Sequence, residues 1–375
     1  MTRLGLTIFV VGASLAIAPG AGTAQFLGNF DAINSTGKVA RGFEIELEGL
    51  GPADISDTFG GANRGFPTSV ERYGAPVIAP SALGVTVTYQ ATYDSLSGNW
   101  LAPGGTPFAG VLSVGTPSAL TFQTPGDNCW SGGGINYGAG TPCDHFGVGV
   151  RKNPTKTTYS WLTETPGSPG TTTKVLLNLP APSWAVIQQP PPAPNLPPAP
   201  PIVRAVIEAP PLPEVADPPF GTAVWVKVFT TELENPEGLE GLMHGNLNAK
   251  GIVLEKRANG TEMEWQLLQK DPGNPNAGIL DLGGQVLDPL AKAVVRRFEF
   301  YEYTGFYKPA DHEAKPLLGD SMADPSEIGA FIGAQNAQAL LAPVPEPESY
   351  AMLLAGLAMI GGIAGRRSKR GLIDA

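Results

Sequence analysis

Arg41–Leu50 reads RGFEIELEGL, and its alternation decides the fold class: Phe43, Ile45 and Leu47 fall on one side of an extended backbone, Glu44, Glu46 and Glu48 on the other. Successive side chains of a strand point to opposite faces, so a period of two with one apolar side is a half-buried strand. The pattern recurs along the chain. LGVTVTYQATY sets Val85, Val87 and Tyr89 against Thr86, Thr88 and Gln90, and HFGVGV, KTTYSWLT, KVLLNL and WAVIQ add short runs separated by Gly, Pro and Ser clusters. AVWVKVFTTEL, KGIVLEK, TEMEWQLLQK and VVRRFEFYEYTG follow in the same style. No alternation of strands with helices interrupts them, so the expected class is all-β. Composition agrees: 48 glycines and 38 prolines supply turns, while 42% hydrophobic residues exceed what a disordered chain carries.

Residues 188–201, QQPPPAPNLPPAPP, divide this pattern. Proline fixes its own φ and cannot donate to a sheet ladder, so the stretch reads as a semi-rigid polyproline linker. It separates residues 25–187 from residues 202–335, two expected antiparallel β-sandwich domains of immunoglobulin-like style, and a chain of 375 residues has room for both. IVRAVIEA, enclosed by prolines, reads as the first edge strand of the second domain. The two halves show no internal repeat.

Both ends of the chain carry addresses. Residues 1–24 run from a basic start through the uncharged LGLTIFVVGASLAIAP to small residues, the order of a secretory signal peptide, with signal peptidase expected to cut between Ala24 and Gln25. At the other end residues 336–348 read as a spacer, and 349–375 as a transmembrane helix with a basic tail. Ser349–Gly365, SYAMLLAGLAMIGGIAG, would cover about 25 Å as a helix, near the lower limit for a bilayer. Arg366, Arg367, Lys369 and Arg370 follow at once, and the positive-inside rule puts them in the cytoplasm.

The step Pro345-Glu346-Pro347, the apolar segment behind it and the terminal basic cluster together resemble the PEP-CTERM sorting signal; the resemblance is confined to the last thirty or so residues. It implies recognition at Pro345, Glu346 and Pro347 by an exosortase in the inner membrane, and removal of the tail near that motif. Two prolines hold such a strip extended and out of a helix, accessible at the membrane surface. The family also implies an exported Gram-negative envelope or extracellular protein, transiently anchored in the inner membrane and associated with exopolysaccharide or biofilm.

The body between these addresses is acidic. Removing the targeting segments reduces 24 basic and 34 acidic side chains to 19 and 33, a net charge of −14. Nucleic acid, which needs a positive face, is excluded as an expected partner. Cys129 and Cys143 flank a Gly-rich loop and are expected to form a disulfide in an oxidising compartment. A Cys143 nucleophile served by His145 is the alternative, disfavoured because the second thiol would capture it. His145, His244 and His312 lack zinc-ligand spacing, and DPGNPNAGILD reads as a hairpin turn rather than a calcium loop. Glu44, Glu46 and Glu48 read as a solvated strand face. Trp100, Trp130 and Tyr137, and the pair Tyr301 and Tyr303, are the aromatic candidates for stacking on sugar rings if their faces are exposed. No catalytic residues, metal site or cofactor are expected. The expected function is that of an exported interaction or structural protein, with a secreted carbohydrate-binding or carbohydrate-active module as the alternative.

Overall fold

A computed structural model describes residues 26–34, 36–59, 73–102, 143–187, 201–216, 218–236, 262–283 and 290–341, with isolated positions between them. The described chain is all-β. Its strands are β1 (Phe26–Ile33), β2 (Ala40–Glu48), β3 (Ile55–Thr58), β4 (Val77–Pro80), β5 (Gly84–Gln90), β6 (Thr92–Asp94), β7 (Asn99–Leu101), β8 (Cys143–Val150), β9 (Thr157–Glu164), β10 (Thr172–Leu177), β11 (Ser183–Ile187), β12 (Ile202–Glu208), β13 (Val224–Leu233), β14 (Glu262–Leu268), β15 (Ile279–Leu282), β16 (Ala293–Tyr303) and β17 (Ile328–Leu340). Pairings between them are antiparallel throughout.

The largest sheet has the order β14-β13-β16-β17-β1-β8-β3; a five-stranded sheet runs β10-β9-β2-β5-β4 and a three-stranded sheet β11-β12-β15. The inward residues of the large sheet meet both smaller ones in a single core. Phe30 of β1 and Phe146 of β8 pack on Phe43, Tyr159 and Trp161 of the five-stranded sheet; the Phe43 and Phe146 rings stack at 4.1 Å. Further along, Arg296 of β16 lies under the Trp184 ring of β11 at 5.5 Å and donates to the Leu282 carbonyl of β15 at 2.8 Å. Alternation written into β2 and β5 fixes which face goes inward, because a one-residue slip would expose Phe43, Ile45 and Leu47 and bury the glutamates.

Two expectations about organisation are corrected. The Pro-rich stretch joins β11 to β12, and these pair directly, Ile187 with Ile202 and Ser183 with Val206. It connects neighbouring strands of one sheet. Proline's inability to donate excludes it from a ladder but equally suits a connection outside one. β12 has partners on both sides and is the middle strand of its sheet, not an edge. Strands from before and after the Pro-rich stretch then share the seven-stranded sheet and its core, where two separate sandwiches were expected.

The second correction concerns the ends. β17 extends to Leu340, so residues 336–340 are ladder, not spacer. It is the middle strand of seven, and its neighbour is β1, with Phe26 opposite Ala339 and Ala32 opposite Gly333. The first and last described segments are therefore hydrogen-bonded side by side. Cutting after Leu341 preserves this sheet, whereas cutting after Glu327 leaves β14-β13-β16 and β1-β8-β3 without the strand that joins them. A chain of residues 25–341 is expected to unfold cooperatively on heating, with a near-ultraviolet circular dichroism signal that vanishes in one transition. A chain of residues 25–327 should show neither the signal nor the transition.

Candidate functional site

The outward face of the seven-stranded sheet carries a buried polar layer. On β16 alternate residues Arg297, Glu299 and Tyr301 point outward and are 1%, 0% and 0% exposed. The Arg297 Nε donates to Glu299 Oε1 at 2.7 Å, and the Tyr301 hydroxyl donates to Glu299 Oε2 at 2.9 Å. Lys227, opposite Glu299 on β13, brings its ammonium to 3.7 Å from Oε2 and lies over the Phe229 and Trp265 rings. Arg297 Nη1 donates to Asn336 Oδ1 of β17 at 3.3 Å. Asp31 of β1 and Gln338 of β17 are buried on the same face. Glu299 has a donor or cation on each oxygen, so it is a pin between strands rather than a poised base.

Around this layer the apolar residues close off both ends. Trp225, Tyr301, Tyr303 and Phe331 form one cluster, with Tyr303 and Tyr307 edge to face at 5.2 Å. Burial, reinforced by the Glu327 carboxylate, pushes the Tyr303 phenol up to about 12. Leu27, Phe59, Leu239 and Val295 form the other. A side chain at Gly147 would meet the Phe59 ring at 2.4 Å, which accounts for glycine where the HFGVGV alternation turns outward.

Several residues singled out in the sequence are thereby placed. Tyr301 and Tyr303 are buried, as are Phe298 and Phe300, so the stretch is interior on both faces up to Tyr301, only Glu302 and Thr304 beyond it are exposed, and it offers no tyrosine to a sugar. Trp100 is buried against Tyr93. Glu44 pairs with Lys174 and Glu48 with Lys156 on a half-exposed face. In the DPGNPNAGILD turn Asp271 accepts from the Gly273 amide and Asn274 from the Asn276 amide, while Asp281 pairs with Arg204, so these oxygens serve the hairpin. His312 is exposed, adopts a positive φ of 65° and stacks on Tyr307 at 4.1 Å.

Cys143 opens β8, but Cys129 lies outside the described residues, and no disulfide is seen among them. Ala24, Gln25, Trp130, Tyr137, His244, KGIVLEK, Pro345, Glu346, Pro347, Arg366, Arg367, Lys369 and Arg370 also lie outside, and nothing is described of the His145 side chain. Among the described residues no helix is long and apolar enough to cross a membrane, and no metal-binding group of His, Cys, Asp and Glu occurs. Residues 349–375, the expected span, are outside the described set.

Among the described residues a cleft of about 460 Å³, large enough for a small ligand, lies where the two smaller sheets meet over the large one. One wall is the start of β9 and the end of β10, with Lys156, Thr157 and Leu176; the other is the end of β12, with Glu208 and Pro210, and Lys270 beyond β14. Tyr159 lies at its inner side, its hydroxyl hydrogen-bonded to Gln335 Oε1 at 3.4 Å and held protonated by burial. Lys270 reaches Glu208 at 3.1 Å. No local pattern marks this cleft, because its walls come from three separate segments.

Compared with known proteins, residues 343–370 match the family described as the PEP-CTERM protein-sorting motif. No curated protein and no solved structure matches the chain. The chain thus carries a sorting signal of exported proteins, one that implies processing by an exosortase.

The buried pin makes a quantitative expectation. Glu299→Leu leaves Arg297 and Lys227 facing a desolvated hole, and loss of one member of a buried pair costs about 3–5 kcal/mol. Urea unfolding of the single variant should show that loss, and the double variant Arg297→Met with Glu299→Leu should recover at least half of it, since it removes the stranded guanidinium as well.

Proposed function

We propose that this protein is an interaction or structural component of the cell envelope or extracellular matrix, associated with exopolysaccharide, rather than an enzyme. The observation that carries the reading is the PEP-CTERM motif at residues 343–370, attached three residues after an all-β body ends its central strand at Leu340. Residues 1–24 direct export and are removed before Gln25. Residues 349–375 then hold the chain in the inner membrane as a helix with Arg366, Arg367, Lys369 and Arg370 on the cytoplasmic side, until the exosortase acts near Pro345-Glu346-Pro347. In the oxidising compartment Cys129 and Cys143 form a disulfide, which on the chain-entropy account stabilises the fold by about 3 kcal/mol.

The polar residues of the body support a non-enzymatic role. Among the described residues the fully buried acid Glu299 is engaged by Arg297, Lys227 and Tyr301, and Glu44 of β2 by Lys174. A net charge of −14 on the processed body suits a protein that must stay dispersed in a matrix instead of self-associating.

Mass spectrometry of the mature protein tests the reading. In cells with an active exosortase the chain should start at Gln25 and end near Pro347, and fractionation should find it outside the inner membrane. Replacing Pro345, Glu346 and Pro347 with alanine should leave a chain ending at Ala375 in the membrane fraction. A wild-type chain that keeps its last residues under those conditions would remove the proposal.

A further inference from the structure

The cleft between β10 and β12 has features that neither the sorting signal nor the core requires. In a body of net charge −14, the cleft's lining holds two ammonium groups, Lys156 and Lys270, against one carboxylate, Glu208. The lysines are held differently. The Lys270 side chain is 16% exposed, set into the wall, whereas its partner Glu208 is 65% exposed and hydrated. Such a pair contributes little to stability, and Glu208 can yield its place to another carboxylate. Lys156 is 67% exposed and lies 3.8 Å from Glu48, a loose contact at the outer rim.

The remaining lining divides into two kinds of surface. Leu176, 57% exposed, and the rings of Pro180, Pro182 and Pro210 give an apolar wall. Thr157, Thr158, Asn178 and Ser183 add short polar groups that both donate and accept. Among the described residues β10 pairs only with β9 and is an edge strand of its sheet. A pyranose ring matches that division, with C–H faces for the apolar wall and hydroxyls for the rim. About 460 Å³ is within the size range of small-molecule sites and admits a short saccharide segment.

We infer that this cleft binds a short stretch of an acidic polysaccharide, a uronate-containing chain, whose carboxylate displaces Glu208 from Lys270 and approaches Lys156 while its rings lie on Leu176 and the prolines. The inference rests on the exopolysaccharide reading above and names the polymer chemistry and the residues that meet it. The body's overall negative charge opposes approach of such a polymer, but that repulsion is screened beyond about 8–10 Å at physiological salt, whereas the lysine contacts act at hydrogen-bond range.

The test is calorimetric titration of the full-length chain in neutral detergent with an oligogalacturonate, a neutral dextran oligomer of equal length and an oligoglutamate peptide. Oligogalacturonate should bind at least about tenfold more tightly than either of the others, and Lys156→Gln and Lys270→Gln should each weaken it about tenfold, the value of one charge-assisted contact. Lys270→Arg should retain binding, and the thermal midpoints of all variants should stay near that of the wild type, separating loss of contact from loss of fold. Leu176→Arg, on an exposed position, should obstruct the cleft without unfolding the chain. Equal binding of dextran, equal binding of oligoglutamate, or indifference to both glutamine substitutions would overturn the inference. Co-sedimentation with the producing cells' own extracellular polymer keeps the two readings apart. If wild type and glutamine variants sediment with it alike, the cleft assignment fails and matrix association stands; if the wild type binds oligogalacturonate but never the native polymer, the reverse holds.

Discussion

The pairing of β1 with β17 is the constraint on which the rest of the structure depends. Phe26 is opposite Ala339 and Phe30 opposite Gln335, so the first strand after the expected signal cleavage and the last before the sorting motif lie together in the middle of a seven-stranded sheet. Phe30 of β1 and Phe146 of β8 pack on Phe43, Tyr159 and Trp161, whose own sheet is positioned by that platform. Contacts between residues 26 and 339 close nearly the whole chain, and loop-closure entropy grows only slowly with length, so the pairing is thermodynamically inexpensive but kinetically late. The native sheet can therefore form only after residue 340 has been delivered to the same compartment as residue 26.

The polar layer on the outer face gives that platform its register. Arg297, Glu299 and Tyr301 repeat at a period of two along β16, and Lys227 and Asn336 meet them from the strands on either side. A shift of β16 by one residue would turn this charged row into the phenylalanine core and Phe298 and Phe300 out of it. Buried ion pairs are weak sources of net stability, because desolvation offsets the Coulomb attraction; a mismatched register, however, strands a charge and is costly. The layer discriminates among pairings more than it holds the chosen one together.

The clearest alternation in the sequence belongs to strands with one wet face. β2 and β5 alternate because one side is partly open to solvent, and the same is true of β12, whose exposed Arg204 and Glu208 mark its outward side. β1 and β17 escaped for the opposite reason. IGAFIGAQNAQAL has no apolar alternation, since Ala337 and Ala339 face the core while Asn336 and Gln338 face the buried polar layer, and both sets are interior. Small residues are what a middle strand can carry where large aromatics approach from the neighbouring sheet, and amides are what the polar layer can accept. Composition alone makes such a strand look like a spacer. The Pro-rich stretch misled in a complementary way: the prolines correctly excluded a strand, but whether the segments flanking it pair with each other is a matter of tertiary contact that no local pattern records. The cleft was invisible because Lys156, Leu176, Glu208 and Lys270 converge only after three sheets have assembled.

Geometry at the ends then joins fold to sorting. β17 stops at Leu340 and the motif begins at Pro345, so even a fully extended chain, at about 3.4 Å per residue, allows only about 17 Å between the sheet and the recognition step. With the tail anchored as proposed, the body would sit close to the bilayer, with the pole that carries Phe26, Val150, Ala293 and Leu340 nearest the membrane, because these residues are in register at that end of the sheet. On that proposal an enzyme acting at Pro345 would work close to a folded sheet, at a step whose two prolines resist both helix and ladder. Extending the β17 ladder as far as Pro345 would call for hydrogen bonding that proline cannot complete, which limits how far that strand can run.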